Sequence, residues 1–244
     1  MEESLGIDTV FLNPLAHFNI NTIDDVEIAA LTLRNIWKLG YDSIVNVLEL
    51  LEGEFFKILL LSTDEKLDGF SGYCGLNPVI VLNKQYTVDR LRFTALHEVG
   101  HLLLKIATHF TAKEQEKICH RFAGAMLMPQ EVFCKEFGGH RHRLTLKELL
   151  DIKEEYGISI AAIVARAKDL NLISESFYTE FWIEFNKRGW RKKEPGTFVA
   201  NESCHRFEQL LQRAAATEVI SLSKCAALAK KTLEEFRREV EFIP

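Results

Sequence analysis

The sequence has no apolar run long enough to cross a bilayer. Its longest, such as Phe55 with Phe56 and the stretch 58–61, fall far short of the roughly 20 residues that a spanning helix needs. The opening residues Met1, Glu2, Glu3 and Ser4 are acidic where a secretory signal carries positive charge, so export is not expected. There is no C-x-x-C pair. The five cysteines, at 74, 119, 134, 204 and 225, are odd in number and scattered, which excludes a disulfide framework or a cysteine-based zinc site and leaves reduced thiols in a cytoplasmic protein. Proline (5) and glycine (13) are scarce, which excludes collagen-like and low-complexity chains. Positive charge is in deficit, 30 Lys and Arg against 35 Asp and Glu, so a net −5 argues against general binding to a nucleic-acid backbone.

What is present, 244 residues with 47% hydrophobic and 27% charged, is a chain able to bury a sizeable core. Ile23, Val26, Ala30, Leu33 and Trp37 recur at helical spacing, with a cap at Asn21 or Thr22 and a stop at Gly40. Ser43 opens a second helix to about Leu51, and Phe55 to Leu61 suit a buried strand. Gly69, Gly72 and Gly75 punctuate another strand, and Asn77-Pro78 turns into a third at 79–82. Helical patterns then run from Thr87 to Ile106, from Ala112 to Pro129, from Thr145 to Tyr156 and from Ser159 to Leu170. An aromatic amphipathic stretch from Phe177 to Trp190 and two helices near 202–217 and 223–240 complete the chain. Strands followed by helices predict an α+β fold, not an alternating α/β one.

The most informative segment reads Phe93-Thr94-Ala95-Leu96-His97-Glu98-Val99-Gly100-His101, an H-E-x-x-H sequence inside a helical pattern. Residues four apart share a helix face, so His97 and His101 can present two imidazoles to one ion. Glu98 sits about 100° round the helix, where it can serve as general base on a metal-activated water without being a ligand. Leu96, Val99 and Leu103 form the stripe that buries the helix. Catalytic zinc takes a third protein ligand and keeps one position open. The second helix offers Glu116 and His120, one turn apart, and either completes a site. Gly100 and Gly124, each costing about 1 kcal/mol in a helix interior, point to close contact between the two helices.

The sequence R-F-T-x-x-H-E-x-G-H-x-L-L followed by E-x-x-x-x-x-F-A-x-x-x-L-M-P resembles the ImmA/IrrE family of zinc metallopeptidase-like proteins. The likeness extends upstream to Ile80-x-Leu82-Asn83 and Arg90-x-Arg92-Phe93, and loosely to Asp24-Asp25-Val26-Glu27 and Trp37-x-Leu39-Gly40. The latter resemble members joined to an Xre-type DNA-binding head, and no such head is expected here. The resemblance implies a small sheet packed on a zincin-like helix and a second ligand helix. It also implies His97, His101 and Glu116 as zinc ligands and Glu98 as catalytic acid/base. His120 stands where the family often has Asn. The implied substrate is a cytoplasmic regulator, a repressor or antitoxin-like protein of stress or mobile-element circuits.

The residue patterns thus predict an N-terminal helical region (1–53), a metallopeptidase-like core (54–137), a helix-turn-helix-like pair (138–175) and a C-terminal helical extension (176–244). The pair offers only Arg166 and Lys168 as basic residues on its second helix, so DNA contact is the weaker expectation beside packing. Lys187, Arg188, Arg191, Lys192 and Lys193 beside Trp182 and Trp190 read as the solvated face of an amphipathic helix. The strand at 79–82, directly before the motif helix, is either the edge that holds an extended peptide or an interior strand. Two functions follow from the sequence. One is a zinc-dependent metallo-endopeptidase acting on a protein. The other is a non-proteolytic metal-binding regulator that contacts DNA or a repressor, which a fourth ligand from His120 would favour by closing the site. His109 receives no role.

Overall fold

The computed structural model describes residues 2–7, 10–64 and 67–240. Leu12–Glu202 forms one compact unit, and the described parts of Met1–Phe11 and Ser203–Pro244 form another. The larger unit begins with the two-residue strand β1 (Asn19–Ile20) and helix α1 (Asp25–Ile36), which buries Val26, Ala29, Ala30 and Leu33. In place of a cap from Asn21 or Thr22, the Asp25 carboxylate accepts from both of their backbone N–H groups. Helix α2 (Val47–Gly53) starts later than Ser43, because the Asn46 side chain accepts the N–H of Glu49 at 3.0 Å and sets the first turn there.

Three strands, β2 (Lys57–Leu61), β3 (Gly69–Cys74) and β4 (Asn77–Asn83), make a sheet in the order β2-β4-β3. β4 runs parallel to β2 and antiparallel to β3, with Ile80 opposite both Ile58 and Ser71. The strand at 79–82 is therefore central, which decides between its two readings in favour of an interior strand; the edge nearest the motif helix is β3. A continuous run of Val79, Ile80, Val81 and Leu82 suits a strand with neighbours on both sides. Alternation on β3 sends Gly69, Ser71 and Tyr73 toward helix α3 (Val88–Leu103), where the Tyr73 hydroxyl donates to the Leu102 carbonyl at 3.0 Å.

After α3, the two-residue strand β5 (Lys105–Ile106) pairs parallel with β1. A capping box between Thr111 and Glu114 then starts α4 (Ala112–Leu127), which lies along α3. The unexpected helix α5 (Gln130–Phe137) follows directly, with Pro129 at its start, stacked Phe133 and Phe137 buried, and left-handed Gly138 at its end. Helices α6 (Leu146–Tyr156) and α7 (Ile160–Asp169) carry the expected caps at Thr145 and Ser159 and the expected break at Gly157 (φ 62°). Helix α8 (Glu175–Lys187) holds the aromatic stretch.

Beyond α8 the chain is irregular to Glu202, yet two carboxylates pin it. Glu194 accepts from the N–H groups of Ile160 and Ala161 at the start of α7 and meets the buried Lys153 at 3.0 Å. Glu202 pairs with the buried Arg92 and accepts from Val47 and Leu48 at the start of α2. In the smaller unit, α9 (Arg206–Ala216), α10 (Leu222–Leu228) and α11 (Leu233–Glu239) gather Leu211, Ala214, Cys225 and Phe236 into a core that Leu5 joins. Two helices replace the single one expected over 223–240, because Lys230 adopts a left-handed backbone (φ 57°) and Thr232 with Glu235 caps a new start. The fold is α+β. The boundaries expected after residues 53, 137 and 175 all lie inside the larger unit.

Candidate metal centre

Helix α3 buries Leu96, Val99 and Leu103 as the sequence pattern requires, which turns His97 and His101 toward α4. Their Nε2 atoms stand 3.0 Å apart. From α4, Glu116 brings one carboxylate oxygen to 3.3 Å from His97 Nε2 and the other to 3.5 Å from His101 Nε2. Bonds of about 2.0–2.2 Å arranged tetrahedrally keep zinc's ligands roughly 3.3 Å apart, so the donor spacing fits such an ion. His97, His101 and Glu116 are the metal-competent group found among the described residues, and His120 is not part of it. Three protein donors without a fourth is the arrangement that leaves a coordination position open.

Close packing of α4 on α3 makes this convergence possible. A Cβ on Gly100 would lie 3.3 Å from the Cys119 backbone, so the two helix backbones do meet there. Gly124 answers to a different neighbour, since a Cβ on it would face the Arg166 side chain of α7 at 3.5 Å. Burial, with the nearby imidazoles of His120 and His101, pushes the His97 pKa down to about 3, so its ring is neutral and able to ligate. The Cys119 thiol, 3.6 Å from His101 Nδ1, is pushed up to about 12 by burial and by Glu116 and Glu98, which keeps it protonated.

Glu98 is 7% exposed and lies on the wall of a cleft of about 630 Å³ that also reaches the three donors. Its Oε2 accepts a 2.6 Å hydrogen bond from the Ser71 hydroxyl. Sequence reasoning missed Ser71, because nothing local to a serine in a glycine-punctuated strand announces a contact 27 residues away. Asp68, Phe70, Arg90 and Phe93 line the same cleft and were likewise unassigned by role. Arg90 is held by the Asp68 carboxylate and stacks on Tyr86 at 3.9 Å. His120 also lines the cleft, its ring 4.2 Å from that of His97 and its Nδ1 2.7 Å from the Glu116 carbonyl. His109 stacks on Phe110 and does not line the cleft.

The two basic residues of α7 are engaged elsewhere. Arg166 is buried against Glu27 of α1 and the Met128 carbonyl, and Lys168 pairs with Glu175. Helix α7 therefore packs with its apolar face and its arginine inward.

Fold and site together define a metallopeptidase-like protein of the α+β class. Residues 54–168, which span the sheet, both site helices and α7, match the family model described as Peptidase_M78, the IrrE N-terminal-like domain. Over these residues the chain is similar to the IrrE N-terminal-like domain, which supports the resemblance that its motifs carry. No curated protein matches it. Among the described residues, no helix is long and apolar enough to cross a membrane.

Proposed function

We propose that the chain is a zinc-dependent metallo-endopeptidase that hydrolyses a peptide bond in a regulatory protein of the cytoplasm, a repressor or antitoxin-like protein. The observation that carries this reading is the convergence of His97, His101 and Glu116 at tetrahedral spacing, with Glu98 beside them on the wall of an open cleft. Zinc bound there would supply Lewis acidity toward a carbonyl oxygen and ease deprotonation of a water. The Glu98 carboxylate takes the proton of the attacking water and delivers it to the nitrogen of the leaving amine. Strand β3, at the free edge of the sheet, offers backbone N–H and C=O groups to an extended substrate. Phe93 adds apolar surface to the cleft, and the Arg90–Asp68 pair stands at its wall.

Glu116, which brings its two oxygens to 3.3 and 3.5 Å from the Nε2 atoms of His97 and His101, is the third donor in this reading. The cytoplasmic setting rests on the odd number and scattered spacing of the five cysteines. The regulatory substrate class rests on the family resemblance. Its test is incubation of zinc-loaded protein with a repressor encoded beside it, followed by mass spectrometry. One cut at a defined bond is expected, and an intact repressor after prolonged incubation would reject that substrate.

A further inference from the structure

Strand β3 and helix α3 are stitched together at consecutive inward positions of the strand. Ser71 donates to Glu98, and Tyr73 donates to the Leu102 carbonyl one turn further along. The strand also sits as close to the helix as its backbone allows, since a Cβ on Gly69 would lie 2.9 Å from the Thr94 methyl, one turn before Glu98. With the strand held at that distance, the short Ser71 side chain reaches Glu98 and no further. Its hydroxyl lies 2.6 Å from Oε2 and 3.4 Å from the backbone carbonyl of the same residue. The other carboxylate oxygen accepts no hydrogen bond among the described residues and is the one left to handle a proton. A hydroxyl-to-carboxylate bond of this length is the strong, charge-assisted kind.

We propose that Ser71 is a positioning residue for the general base: it fixes the rotation of the Glu98 carboxylate and ties that group to the strand on which substrate pairs. The inference rests on the peptidase reading above. Glu98 has two further side-chain torsions beyond its χ1, and a base turned out of line forfeits the orientation that makes it effective. With Ser71 on the free edge strand, a peptide paired to β3 takes its register from the same element that aims the base. The hydroxyl acts through Glu98 and touches neither a metal donor nor, in this account, the scissile bond.

The test uses the full-length, zinc-loaded protein, its Ser71→Ala and Ser71→Thr forms, and a quenched-fluorescent peptide library. Ser71→Ala is expected to lower kcat about 10- to 100-fold with KM and zinc content unchanged, because orientation is lost while substrate pairing and the ligands stay. Ser71→Thr, which keeps the hydroxyl and suits a strand, is expected to recover most of that loss. Unchanged kcat in Ser71→Ala, or an equal fall in Ser71→Thr, overturns the proposal. A denaturation cycle over Ser71→Ala, Glu98→Ala and the double variant reads the contact without any cleavage: non-additive midpoints are expected, and additive ones overturn the proposal. Non-additive midpoints in a zinc-loaded wild type that cleaves nothing would reject the peptidase reading itself and reduce Ser71 to a structural contact.

Discussion

Glu98 and His97 are chain neighbours that face different ways, His97 toward the Glu116 carboxylate and Glu98 toward Ser71 of β3, and the proposed mechanism gives them opposite tasks. The substitution Glu98→Gln keeps the shape and every donor atom to the metal but removes the base. Zinc content is expected to stay at the wild-type level while kcat falls by about 10²–10⁴, the range general acid–base catalysis contributes. Glu116 has the converse role, and Glu116→Ala is expected to lower zinc stoichiometry in purified protein, measured by metal analysis, since two imidazoles alone are an incomplete set. The convergence of both histidines with a donor from α4 was legible because helical periodicity converts spacing into geometry. Separating Glu116 from His120 was not a matter of spacing. It required the packing of α4, which brings the Glu116 oxygens to 3.3 and 3.5 Å and turns His120 Nδ1 to a backbone carbonyl.

At the scale of elements, the site depends on α4 being held from behind. Glu27 of α1 joins Arg121 of α4 (3.0 Å) and Arg166 of α7 (2.9 Å). Burial alone would raise the Glu27 pKa, but the hydrogen bond and charge of Arg166, with those of Arg121, outweigh it and leave the value below the usual carboxylate range. A depressed folded-state pKa means that Glu27 stabilises the protein above its unfolded pKa, and that this contribution disappears as pH falls through the folded value. Glu27→Gln is therefore expected to cost about 3–5 kcal/mol at pH 7, because it leaves the buried Arg166 guanidinium without its carboxylate and weakens the hold on the partly buried Arg121. The gap from wild type should narrow as pH drops below about 4.5, the ordinary glutamate range. Urea titrations at pH 7 and pH 4 check this, and a gap independent of pH would contradict it.

Helix ends with a chemical marker were legible at this scale, and those without one were not. Thr145, Ser159 and Gly157 placed α6 and α7, whereas β1 and β5 are two residues long and show no alternation. The split between α10 and α11 falls at Lys230, a residue with no turn preference that adopts a left-handed conformation. Helix α5 had a readable signal, Pro129 before it and Gly138 after it, with Phe133 and Phe137 four apart. Strand order was hidden because periodicity marks faces and not neighbours. The buried run in β4 was the available sign of a central strand.

The larger unit as a whole is closed by the irregular segment that follows α8, whose Phe198 ring lies over the Arg92 guanidinium at 4.7 Å. Gly157 makes room for it: an added Cβ would stand 2.7 Å from Phe198 and 2.8 Å from Arg92, at a backbone angle (φ 62°) that alanine disfavours. Gly157→Ala is expected to destabilise the protein by about 1–3 kcal/mol, read as a lower denaturation midpoint, with the zinc ligands intact. No sequence pattern linked Arg92 to Glu202, which lies 110 residues away and caps α2 as well.

In the proposed function, one cleft holds a metal through His97, His101 and Glu116 and cuts peptides through Glu98. Its most direct test is mass spectrometry of a defined peptide mixture after incubation with wild-type and Glu98→Gln proteins, each loaded to the same measured zinc content. New fragments from the wild type alone are predicted. The same fragments at the same rate from both proteins would contradict the role of Glu98, and no fragments from a fully loaded wild type would contradict the peptidase claim.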